Sequence, residues 1–145
     1  MIDIENKVLN TVFDAVRADF PTASCYGEYV LVPSAFPCIC IYESDSETYT
    51  YSNDEQLHEH QARLTYECNV YSDDADDKKE QAKAIADIVD RAMQSMLFVR
   101  TFRSQIPNQD RTIYRVTLRW QAIVGEPITE SDGNITYQMY RDRVR

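Results

Sequence analysis

Two long runs of strict alternation constrain this chain more than any other feature. Between His60 and Ser72, the residues Ala62, Leu64, Tyr66, Cys68 and Val70 fall on one side. Arg63, Thr65, Glu67, Asn69 and Tyr71 fall on the other. Between Arg111 and Val124, Tyr114, Val116, Leu118, Trp120, Ala122 and Val124 oppose Ile113, Arg115, Thr117, Arg119, Gln121 and Ile123. Successive side chains of a strand point to opposite faces, so each run predicts a strand with one face in the core. The second run also carries two arginines on its outer face, where they meet solvent, acids or a partner.

An apolar sheet face has to be covered, and two stretches of helical period are available for it. In the first, Ile4, Val8, Val12, Ala15 and Val16 form a stripe widened by Leu9, Phe13 and Phe20. Asp3 is the expected N-cap, and Pro21 stops the helix. In the second, Lys79 to Met96, the stripe is Ala82, Ile85, Ala86, Ile88, Val89, Ala92, Met93 and Met96. Ser72-Asp73-Asp74-Ala75-Asp76-Asp77 supplies caps and negative charge for its start. Those aspartates lack the glycine and distal glutamate of a calcium loop.

The remaining elements are shorter. Glu28–Val32 reads as a strand ended by Pro33, and Cys38–Tyr42 as a central strand buried on both faces. Phe98–Ile106 is a further strand, Pro107–Asp110 a turn, and Gly125-Glu126-Pro127 the expected end of the long strand. Ser131–Asn134 reads as a turn before a last strand, Ile135–Tyr140. The segment 43–57 has the threonines and tyrosines of a strand but no apolar face. It is expected to project as a hairpin arm, with Glu43, Asp45, Glu47, Tyr49 and Tyr51 on one side by period-two counting. The fold class expected is therefore α+β: one domain over 1–145, a mainly antiparallel sheet, two helices packed on one face and a projecting β-hairpin arm.

Composition narrows function. The chain has 145 residues, a formal net charge of −9, and three glycines. An acidic chain does not suit a free-standing nucleic-acid binder, which must displace phosphate counterions. The glycines are too few for the common Gly-rich phosphate loops. Without a run of 18 apolar residues, no membrane span is expected. The acidic N-terminus does not read as a signal peptide, so a reducing cytoplasm is the expected compartment. Cys25, Cys38, Cys40 and Cys68 are then free thiols acting as small hydrophobes. Residues 1–80 hold 17 acidic against 5 basic side chains, net −12, and residues 81–145 hold 7 against 10, net +3. Such sorting serves either neutralisation within one molecule or head-to-tail association of identical copies.

No catalytic constellation emerges. His58 and His60 share one side of a strand start but lack a third ligand at a usual spacing, and no serine sits between glycines. No enzymatic activity, cofactor or metal is expected. Ten tyrosines and a sided set of arginines instead exceed what one small core uses, and both residue types favour interfaces.

The order of elements resembles a known family. An amphipathic N-terminal helix leads to Pro37-Cys38-Ile39-Cys40-Ile41-Tyr42 and a polar hairpin. Then follow Arg63-Leu64-Thr65-Tyr66-Glu67-Cys68-Asn69-Val70-Tyr71, the Lys79–Met96 helix and the Arg111–Val124 strand. This texture, over about residues 1–140, is similar to the tail terminator (tail completion or neck) proteins of tailed bacteriophages. The resemblance implies a virion protein of the tail or neck, assembled in the host cytoplasm as a ring, commonly hexameric. Such a ring caps the tail tube protein, ends its polymerisation and presents a docking face to the head-side connector. DNA passes through the lumen without specific binding, and an acidic wall suits passage because it repels DNA. On this reading Glu43, Asp45, Glu47, Tyr49, Tyr51, Asp54 and Glu55 line the lumen or an interface, with Arg100, Arg103, Arg115 and Arg119 as basic partners. The alternatives are a head-closure or connector protein on the head side of the neck, and a small metal-dependent enzyme built on His58 and His60.

Overall fold

The computed structural model describes residues 2–48, 61–108, 110–133 and 135–140. Its elements run α1 (Glu5–Asp19), β1 (Ser24–Tyr26), β2 (Cys38–Thr48), β3 (Gln61–Ser72), α2 (Lys78–Ser95), β4 (Val99–Gln105), β5 (Tyr114–Thr129) and β6 (Ile135–Tyr140). Six strands form one sheet in the order β1-β2-β3-β5-β4, with β6 also paired to β5. All pairs are antiparallel except β1 with β2. The fold is thus α+β, with both helices on one face of the sheet.

The alternating runs explain this arrangement. Leu64, Tyr66, Cys68 and Val70 of β3 are fully buried with Leu118, Trp120, Ala122 and Val124 of β5. Val8, Val12 and Val16 of α1 and Ile85, Val89 and Met93 of α2 close over them in the same core. Each such aliphatic side chain taken from water contributes about 1.5–3 kcal/mol before chain entropy is set against it. A second, smaller cluster of Cys38, Cys40 and Tyr71 lies on the opposite face, because Ile39 and Ile41 between the cysteines point to the helices. The stretch from Cys38 to Ile41 is therefore apolar throughout because it is covered on both sides.

Local signals decide the helix ends. Asp3 stands one place before the N-cap, Ile4, yet its Oδ1 accepts the Glu5 N–H at 3.0 Å. Asp74 Oδ1 likewise accepts the N–H groups of Asp76 and Asp77, at 2.9 and 3.0 Å, just ahead of α2. At the far end of α2, the Leu97 N–H reaches Gln94 O and the Phe98 N–H reaches Met93 O. These bonds form the paired terminus that usually places glycine in the left-handed region, and here Leu97 holds it at φ +68°.

Three expectations change. The strand beside β2 is Ser24–Tyr26, and residues 28–32 are not a strand. They cross the outer face of the sheet instead: Tyr71 Oη donates to Val30 O at 3.2 Å, and Tyr29 stacks edge-on against Tyr42. The composition Tyr-Val-Leu-Val signals a strand, but Ser24–Tyr26 already occupies the β2 edge there. The long strand also does not end at Gly125. The register shifts between Val124 and Pro127, and the strand continues to Thr129 beside β6. A bulge accommodates a proline that a regular ladder would exclude. Finally, residues 43–48 are not free of the sheet but form the upper half of β2, paired to β3 as far as Thr48 with Ala62. The remainder of the expected arm, with Tyr49, Tyr51, Asp54 and Glu55, lies outside the described residues, as do His58 and His60.

Candidate functional site

The face of the sheet away from the helices carries a ladder of polar side chains. One row crosses four strands: Tyr42, Glu67, Arg119 and Phe102 are register partners in turn. Tyr42 Oη donates to Glu67 Oε2, Arg119 Nε donates to Glu67 Oε1 at 2.7 Å, and the Arg119 guanidinium lies over the Phe102 ring at 4.8 Å. Burial pushes the Glu67 carboxyl up, but the bonds from Tyr42 and Arg119 outweigh it and hold the group below the usual carboxylate range. Burial, together with that same bond to Glu67, raises the Tyr42 phenol. Beside this row, Asn69 Oδ1 accepts from Arg115 Nη2 at 2.9 Å and Thr117 Oγ1 at 2.7 Å, and Arg115 also lies over Tyr71. Arg115 and Arg119 are therefore engaged within their own chain.

Bulges decide where the charges at the margins point. In β2 the register jumps between Glu43, opposite Tyr66, and Asp45, opposite Thr65. One extra residue, Ser44, thereby puts Glu43 on the helix face and Asp45 and Glu47 on the outer face. The expectation that Glu43, Asp45 and Glu47 share a side is corrected by this bulge. A bulge in β4 between Arg100 and Phe102 has the converse effect. It brings Arg100 and Arg103 to the same, helix-side face, where simple alternation would separate them. Arg100 Nη1 reaches Asp90 Oδ2 at 2.8 Å, and Glu47 pairs loosely with Arg63 at 3.6 Å. Arg103 is exposed and makes no ion pair among the described residues.

Glu43 occupies an unusual position. Its Oε1 is shielded from solvent and has no hydrogen-bond partner among the described residues, and the same is true of the Tyr66 hydroxyl across the ladder. Burial pushes the Glu43 carboxyl up to about 7, and the charges of Asp3, Glu5 and Asp45 push the same way. Folded, Glu43 keeps its proton to about pH 7; unfolded, it loses it in the ordinary carboxylate range. Its contribution to stability is therefore full below that range and is lost as pH rises through 7. Glu43→Gln is expected to match the parent near pH 4 and to exceed it at pH 8, read from urea midpoints of the monomer. A gap that widens toward acid would contradict this environment.

Asp90 is the one charged residue on the buried side of α2. It lies within the apolar stripe of α2, four residues after Ala86 and three before Met93, and is buried. Its two oxygens accept from Trp120 Nε1 at 2.9 Å, Arg100 Nη1 at 2.8 Å and Gln94 Nε2 at 3.0 Å. A carboxylate at a core-facing helical position was the available signal.

The four cysteines are free; burial pushes the Cys38 thiol up to about 12 and raises the other three. Among the described residues, no group of three or more histidine, cysteine, aspartate or glutamate side chains is placed to hold a metal ion. No described helix is long and apolar enough to cross a membrane.

No family model matches the sequence, and no curated protein matches it. One similar solved structure covers 88% of this chain and 100% of its own length, at 14% identity and a TM-score of 0.47.

Proposed function

We propose that this protein is a structural subunit of a phage tail, forming a ring that caps the tail tube, stops its growth and joins it to the head-side connector. The observation that carries the reading is the opposite charge of the two margins of the described sheet: Asp45 and Glu47 at β2, and Arg103, which has no acid among the described residues, at β4. Identical copies placed head to tail bring those margins together, and repetition of one such contact closes a ring. The order of elements shared in texture with tail terminator proteins supplies the place of the ring in the virion. The net charge of −9 suits a lumen through which DNA moves without being held.

The reading is tested with purified protein. Sedimentation and negative-stain images at low salt are expected to show closed rings, and addition to polymerising tail tube protein is expected to arrest the tubes at short length. Rings that bind a head-side connector but leave tube growth unchanged would move the protein to the head side of the neck. A monomer at every concentration, with no effect on tubes, would defeat the proposal. Charge reversal at Arg115 or Arg119 is unsuited to this test, because both are engaged within the chain and reversal would disturb the fold.

A further inference from the structure

Among the described residues, both margins of the sheet end in main chain that no further strand covers. β1 covers β2 only over Cys38–Cys40, so among the described residues Ile41–Thr48 has no strand on that side. Among the described residues, β4 pairs with β5 along one side only. Open edges are templates for another strand. Because β2 runs opposite to β3, and β3 opposite to β5, β2 has the direction of β5 and β4 has the reverse. Two copies related by rotation about an axis along the strands therefore offer β4 and β2 to each other in antiparallel sense.

The side chains at these edges are complementary in what they lack. On the helix face of β4, Arg103 is a cation with no acid among the described residues. On the helix face of β2, Glu43 has a shielded oxygen with no donor among the described residues, and Asp3 and Glu5 are its charged neighbours. Tyr66 is fully buried directly across from Glu43, and its hydroxyl, without a partner among the described residues, lies in the field of the same three carboxyl groups. A buried polar group without a partner is costly, and a second chain can supply that partner.

We propose that β4 of one copy adds to the open edge of β2 in the next, and that Arg103 enters the acidic group of Glu43, Asp3 and Glu5. The subunit sheets then form one continuous antiparallel surface around the ring. The inference rests on the ring reading above and states how the ring closes.

Ser44→Cys and Thr101→Cys replace exposed residues at the two bulges. With Arg103 set against Glu43 they fall within about 7 Å, two residues' rise. Native Cys38, Cys40 and Cys68 are buried, and the unmodified chain measures the background from half-buried Cys25. A short bis-maleimide is expected to convert the double variant into a ladder ending at a closed oligomer, while each single variant stays monomeric on a denaturing gel. Arg103→Glu, with an unchanged far-ultraviolet spectrum, is expected to weaken association about tenfold or more. Rings by sedimentation without cross-links in the double variant would overturn the edge pairing and leave the ring reading standing. Dimers from either single variant would show two-fold pairing and overturn both. A chain that never associates would mean that the charges and bulges only blunt the edges, and would also overturn both.

Discussion

Asp90→Ala is expected to lower folding stability by about 2–4 kcal/mol, the cost of leaving a fully buried indole N–H without an acceptor and breaking a half-exposed ion pair. The carboxylate accepts three donors at once, from α2, β4 and β5, and so ties the helix to two strands. Removing it leaves the Trp120 indole N–H without an acceptor in a fully buried site and the Arg100 guanidinium without its acid. Against a typical total of about 5–15 kcal/mol, that loss leaves a marginal protein. Trp120 is the chain's single tryptophan, so its emission reports directly on the site. Denaturant midpoints followed by that emission check the magnitude. Asp90→Asn, which keeps an acceptor but not the charge, should fall between parent and alanine. In a double-mutant cycle, Arg100→Ala should add little to Asp90→Ala, because both break the same pair. A loss below about 1 kcal/mol for Asp90→Ala would show that the network is not holding the layers together.

Phe98→Ala is the second large effect, about 3–5 kcal/mol. Phe98 is fully buried and meets the Tyr66 ring edge to face at 5.4 Å between centroids. It also makes the second bond of the α2 terminus, to Met93 O, next to Leu97 in its left-handed conformation. Packing of Phe98 therefore stabilises a backbone geometry that leucine does not favour. The truncation should leave a cavity and loosen the entry into β4 as well. Calorimetry or urea midpoints measure the loss, and hydrogen exchange over 93–105 should rise more than over β3. Uniform exchange across both segments would separate the cavity from the helix terminus.

Much of the architecture was legible because burial writes its period into the chain. The alternation in β3 and β5 and the stripes of α1 and α2 correspond to the buried sides observed, residue for residue at Leu64, Tyr66, Leu118 and Trp120. Charge sorting was also visible, because composition needs no coordinates. The candidate surface was less legible. Whether Arg115 and Arg119 meet solvent, acids of the same chain or a partner stayed open in the sequence, because their acceptors, Asn69 and Glu67, lie 46 and 52 residues earlier in the chain. Asp90 was hidden inside a helical stripe whose other members are apolar.

Local pattern alone determined that this chain builds a sheet with one helix-covered face, since a period of two or 3.6 is imposed by neighbours along the backbone. Only the tertiary structure decided which charges stand together. A single inserted residue reverses every side chain beyond it, and nothing near Ser44 or Thr101 in the sequence announces a bulge. Those two insertions separate Glu43 from Asp45 and Glu47 and unite Arg100 with Arg103, because strand register is chosen by the whole sheet rather than by the strand.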